Sequence, residues 1–264
     1  MSLTGKTLAS TYKSILRVND NTNGVDAGAE AVTDGNGTTS AIKLSYNKLV
    51  VQPYVSDNTS AFRVKDKGGT SLLTVDSTND AVKVGVGQDY ANTAIKDYWL
   101  NSAGAAPAVP DYWTALGQGS GGRTMTPTIL TFGSGGTPVT SLTISTTADD
   151  IVNALWYLPF NITIDSCRIW FAGNAASGDV VKFSVMSYAV DSSNSSTGGD
   201  LSGGIENCVS PTTITGAGYE QAYTQALTVS TANVDAGKML GAFVAQDGRN
   251  SDLSVQLQLV YHLR

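Results

Sequence analysis

Near the C-terminal end, Leu253, Val255, Leu257, Leu259, Tyr261 and Leu263 alternate with Ser254, Gln256, Gln258 and His262. A period of two sustained over that length predicts a strand with one face in a core. Val181, Phe183 and Val185 repeat the pattern. Candidate strands lie at 128–132, 139–145, 151–158, 162–171, 180–190, 222–229, 239–246 and 253–263. About eight strands in ~140 residues suit a jelly-roll sandwich over 124–264. Its expected core includes Val181, Phe183, Val185, Leu253, Val255, Leu257, Leu259 and Tyr261.

A second pattern occupies residues 62–85. Phe62 and Val64, then Leu72, Leu73 and Val75, then Val82 and Val84 form three short apolar runs. Asp66-Lys67-Gly68-Gly69 and Ser77-Thr78-Asn79-Asp80 separate them, which predicts short strands and tight turns. Three strands of this length cannot bury a sizeable core alone. Association with copies of the same chain would cover them, with Phe62, Val64, Leu72, Val75, Val82 and Val84 as the shared core. At the other end of the chain, Leu8, Tyr12, Ile15 and Leu16 have roughly the spacing of one helical face, which predicts a short helix within 3–18. Asn19 to Gly24 break it, and 24–53 read as short extended pieces around the turn Asp34-Gly35-Asn36-Gly37.

Composition supports the strand-rich reading. Charged residues make up only 14% and glycines number 28, whereas Lys and Glu usually fill helix surfaces. Residues 88–123 are rich in Gly and Pro and carry Tyr98, Trp99, Tyr112 and Trp113. They read as an extended neck whose aromatics glue chains together or dock on the next domain. A carbohydrate-stacking platform is the alternative use of those rings. No apolar run approaches the ~20 residues of a membrane helix, so no membrane insertion is expected. The opening residues lack the pattern of a secretory signal, which implies synthesis in the cytoplasm.

The net charge of −6 sits wholly in 124–264, where 5 basic residues face 11 acidic ones; 1–123 balance at 11 each. No basic face is legible, which disfavours nucleic-acid binding. Cys167 and Cys208 are the only cysteines. Cys167 reads as a small core residue, and a bond to Cys208 stays open.

Two resemblances add to this reading. Phe62, Val64, Asp66, Gly69, Val75, Asp76, Val82, Val84 and Gly85 resemble the repeated stalk element of trimeric phage tail fibres and spikes. Gly5, Lys6, Ala9, Tyr12, Leu16, Val18, Asn19, Gly24, Val25, Asp34, Gly35, Gly37, Ser40, Ala41, Leu44 and Ser45 resemble the N-terminal region of fibre-like structural proteins of tailed, notably marine, phages. The phrases at 148–165, 218–223 and 233–238 are similar to the heads of the same proteins. A long terminal strand in a domain entered from a stalk also resembles trimeric heads of the tumour-necrosis-factor and C1q type.

These resemblances imply a mainly β homotrimer on the virion surface. Residues 1–60 would anchor it to a capsid or tail protein through Leu8, Tyr12, Ile15 and Leu16. An intertwined β stalk at 61–87 and the neck at 88–123 would carry the head, 124–264, toward a host-surface glycan or protein. Head fibre, capsid decoration and tail fibre would use the same trimer physics, and a chain of 264 residues favours a small appendage over a long tail fibre. A depolymerising tailspike and a free lectin-like module are the alternatives.

Chemistry is sparsely signalled. His262 is the single histidine and has no companions at zinc or triad spacing, so it reads as a surface or interface residue. Asp149 and Asp150 are adjacent and on a strand would face opposite ways, unable to flank one glycosidic bond. The Asp-bearing loops 191–200 and 247–252 could take calcium but lack the EF-hand spacing. The Gly-rich pieces 119–123 and 133–137 have no following Lys-Ser/Thr and are not phosphate loops. No catalytic residue, metal or cofactor is expected.

Overall fold

The computed structural model describes residues 16–18, 25, 28–34, 36–85, 89–101, 112–118, 123–124, 131–144, 151, 153–174, 180–191, 200–210, 214–215, 220–246 and 253–264. The protein is mainly β. Helical geometry among the described residues is confined to a single turn at 151 and 153–154. The chain forms two compact units, Met1–Asn92 and Thr93–Arg264.

The first unit holds two four-stranded antiparallel sheets. One consists of β1 (Arg17–Val18), β2 (Glu30–Thr33), β3 (Thr39–Leu44) and β4 (Leu49–Val51), in chain order. Arg17 and Val18 pair with Thr33 and Val32, so the end of the expected 3–18 helix is strand instead. Pairing with β2 satisfies the backbone groups that helix would have used. The other sheet consists of β5 (Phe62–Lys65), β6 (Ser71–Asp76), β7 (Ala81–Val84) and β8 (Asp89–Tyr90).

Its turns follow from the sequence. Asp66 accepts Thr70 N–H on Oδ1 at 2.8 Å, and Gly69 takes the left-handed φ of 90° that closes the first turn. In the second turn, the Asp76 carboxylate accepts the N–H groups of Thr78 and Asn79 at 3.1 Å each, and the Asn79 amide at 2.9 Å. Asp80 there adopts a left-handed φ of 51°, a conformation that Asp tolerates better than most residues.

The second unit contains β9 (Thr93–Asn101), β10 (Tyr112–Ala115), β11 (Gly117–Gln118), β12 (Arg123–Thr124), β13 (Thr131–Ser134), β14 (Leu155–Tyr157) and β15 (Ile162–Asn174). It continues with β16 (Val180–Asp191), β17 (Asp200–Val209), β18 (Ile214–Thr215), β19 (Glu220–Val229), β20 (Asn233–Val234), β21 (Met239–Gln246) and β22 (Leu253–Leu263). One half of its sheet runs β11-β9-β22-β15-β19, the other β17-β16-β21-β10-β13. In the strand order the two halves join where β19 meets β17, through Cys208–Val229 and Val209–Thr228.

The main core lies between the two halves. Tyr98, Leu100, Ile169, Phe171, Leu257 and Leu259 from the first meet Val181, Phe183, Val185, Leu240 and Val244 from the second. The Phe171 and Phe183 rings are 5.2 Å apart, and the Tyr98 hydroxyl donates to Leu240 O at 2.9 Å. A second core covers the other face of β21 and β16. There Trp113, Phe132, Ile151, Leu155, Met186, Tyr188, Leu201 and Phe243 pack together. Since β21 is covered on both faces, MLGAFVA reads as a continuous apolar run rather than an alternation.

Several expectations are corrected. The stretches Thr93–Asn101 and Tyr112–Ala115, read from composition as neck, are strands of the second unit, paired with β22 and β21. Tyr98 and Trp113 are fully buried there, because covering two large rings outweighs leaving a Gly- and Pro-flanked segment extended. Of the expected strand at 128–132, residues 131–132 belong to β13 and 128–130 lie outside the described residues. That at 139–145 reduces, among its described residues, to an isolated bridge between Leu142 and Leu201. That at 151–158 is a helical turn followed by β14. A long strand, β17, appears where none is expected. Gly203 and Gly204 hide it in the sequence, yet a Cβ on Gly204 would lie 2.8 Å from Thr140 Cα and 2.7 Å from the Tyr188 ring. That glycine is needed for the close approach of the 139–144 segment.

Candidate interaction surfaces

The β5–β8 sheet has two chemically distinct faces. Register pairs Phe62 with Val75 and Val75 with Val82, and Val64 with Leu73 and Leu73 with Val84. Paired residues share a face, so Phe62, Val64, Leu73, Val75, Val82 and Val84 form one apolar surface. Phe62 is 40%, Val64 45%, Val82 40% and Val84 38% exposed in the single chain. The sequence reading places Leu72 in this group. The register puts Leu73 there instead, and Leu72 on the opposite face with Arg63, Thr74 and Lys83. Two adjacent leucines cannot both face one side of a strand.

On that opposite face, Asp76 is nearly buried and lies 3.9 Å from Lys83 Nζ. The Asn79 amide, then the N–H groups of Asn79 and Thr78 and the Lys83 charge, hold its carboxyl below the ordinary 3.8, against desolvation. A carboxyl lowered in the folded state adds stability above about pH 4 that is lost as pH falls through the lowered value. The hairpin is therefore expected to be intact at about pH 5 and to loosen below about pH 4, as read by amide hydrogen exchange. Asp76→Asn should abolish that pH dependence; an unchanged acid transition in the variant would contradict the role.

Of the expected anchor residues, Leu8, Tyr12 and Ile15 lie outside the described residues, and Leu16 is exposed. The expected head-core residues Val181, Phe183, Val185, Leu253, Val255, Leu257, Leu259 and Tyr261 all lie in the main core.

In the second unit, the outer face of the β11-β9-β22-β15-β19 half carries exposed side chains. Its rows cross β9, β22, β15 and β19. One row is Trp99–Gln256–Trp170–Thr224 and the next is Asp97–Gln258–Arg168–Ala226, with Ile95–Val260 beyond. Trp170 is 54% exposed and Trp99 is half-buried. Gln258 Nε2 donates to Asp97 Oδ1 at 3.5 Å, and Arg168 is exposed. The neighbours Ala172, Ala222, Thr224 and Ser254 are small. Sequence reasoning grouped Trp99 with the neck and passed over Trp170. Its signal was legible: Cys167, Ile169 and Phe171 point inward, so an indole at 170 must point out.

The titratable groups elsewhere are structurally engaged. His262 Nδ1 lies 2.8 Å from Asp165 Oδ1 in the second unit. Lys96 Nζ donates to Gln118 Oε1 at 2.8 Å and sits over the Tyr98 and Trp156 rings; burial lowers its pKa. Cys167 and Cys208 are free and buried. Hydrogen bonding to Cys208, then burial, pushes the Cys167 thiol well up, which keeps it protonated and unreactive.

Asp149, Asp150 and the loops at 192–199 and 247–252 lie outside the described residues. Among the described residues no group of three or more His, Cys, Asp or Glu side chains is placed to hold a metal, and no helix is long and apolar enough to cross a membrane. No protein-family model matches the chain, and no curated protein matches it at a significant level.

Proposed function

We propose that the chain is a structural protein of a tailed-phage virion: a short homotrimeric fibre or spike, anchored by its N-terminal region and presenting the second unit to the host surface. The observation that carries this reading is the apolar face of β5–β8. Six aliphatic and aromatic side chains cover one side of a four-stranded sheet, and Phe62, Val64, Val82 and Val84 among them stay exposed in the single chain. A threefold arrangement in which each chain lays this face against the other two buries all six and yields a stiff, intertwined stalk. The sequence phrase over the same residues resembles the stalk element of trimeric phage fibres, which supports the same arrangement.

We read the head as a jelly roll. Four of its antiparallel pairs are nested from outside inward: β9 with β22, β10 with β21, β15 with β19 and β16 with β17. Such a rolled-up hairpin order is that of jelly-roll domains, and chains of the tumour-necrosis-factor type use it in trimeric heads. The role is adhesive rather than catalytic. Three copies of a weak site give avidity through effective concentration.

A chain lacking residues 1–60, supplied in place of the full chain during particle assembly, should still trimerise but be absent from purified particles by immunoblot. Truncated chain found on particles at the full-length level would overturn the anchor assignment.

A further inference from the structure

We infer that the outer face of the first head half is a binding platform for a linear, neutral glycan, with Trp99 and Trp170 as its stacking rings. This deepens the adhesive reading of the head and rests on it. Both indoles lie in one cross-strand row with Gln256 between them. Two strand spacings separate them by about 10 Å, the span of a disaccharide. A pyranose presents an apolar face of C–H groups to a ring and a rim of hydroxyls to planar polar side chains, so it needs both chemistries side by side.

The face supplies both. Gln256 sits between the rings, and the adjoining row offers Asp97, Gln258 and Arg168, in that order across the strands. The small residues Ala172, Ala222, Thr224 and Ser254 around Trp170 leave its indole unobstructed. One acidic and one basic side chain cancel, so the platform has no preference for an anionic sugar. The same pair argues against a second copy of the chain as occupant. Packing a protein surface here would strip water from an aspartate and an arginine that lie two strands apart and are not paired with each other, which disfavours it. Sugar hydroxyls can hydrogen-bond both groups while leaving them partly hydrated.

The full-length protein is run in native gels containing hydroxyethylcellulose, laminarin, galactomannan or soluble starch, with affinity taken from retardation against polymer concentration. The wild type should be retarded by at least one of them. Trp170→Ala should weaken that binding by about tenfold or more, the size expected of a central aromatic contact. Trp170→Phe should retain most of it, and Arg168→Ala should weaken it severalfold. Both substituted side chains are exposed, and light scattering should give every variant the wild-type mass. Absence of retardation in all four polymers, or retardation unchanged in Trp170→Ala, overturns the platform. A fall in assembly mass with Trp170→Ala also overturns it, because the face would then be a contact between copies. A trimer that adheres to host cells without binding these glycans refutes the platform and leaves the fibre reading standing. A monomer that binds them does the reverse.

Discussion

Val82→Asp is expected to reduce the purified protein from a trimer to a single chain of 27.4 kDa. Val82 lies at the end of the row Phe62–Val75–Val82 and is 40% exposed in the single chain. A carboxylate there costs the isolated sheet little, because water still reaches it. In the proposed trimer the same carboxylate is enclosed by two copies, and an unpaired buried charge costs several kcal/mol per chain, three times over. Leu72→Asp is the control. It introduces the same charge one strand away on the opposite face, and it should leave the mass unchanged. Loss of assembly in both variants would mean that the register, or the choice of face, is wrong. Retention in both would mean that this sheet does not hold the chains together.

The second large effect is expected from Phe243→Ala. Its ring is fully buried in the second core, 4.6 Å from that of Phe132 and 6.3 Å from that of Tyr188. The cavity should cost about 3–5 kcal/mol, which for a unit of this size lowers the melting temperature by about 10 °C. Calorimetry should show that loss in the transition of the second unit, while the assembly mass stays as in the wild type. A shift below about 3 °C would mean that the back of β21 is not a packed core.

The elements most legible in the sequence were a strand with one face buried, β22, and a strand covered on both faces, β21. β22 has the bounds its alternation predicts, and the apolar run MLGAFVAQ is β21 from end to end. The elements that escaped have identifiable physical reasons. β17 carries Gly203 and Gly204 and pairs with β16 through two register shifts, so neither alternation nor composition marks it. β9 places Lys96 in its inward-facing set, where the aliphatic stem and the Tyr98 and Trp156 rings accommodate the charge. A lysine in that set breaks the simple apolar period. The choice between Leu72 and Leu73 was open to the sequence, since a period of two places Leu73, and not Leu72, on the face of Val75. The pair Trp99 and Trp170 is 71 positions apart in the chain, and only the common neighbour Gln256 brings them into one row.

The most direct test of the account is the mass of the full-length protein in solution, by multi-angle light scattering at several concentrations. The account predicts one species near three times 27.4 kDa that persists on dilution. A monomer at all concentrations would leave the apolar face of β5–β8 open to water, and would contradict the fibre assignment while leaving the two units as described.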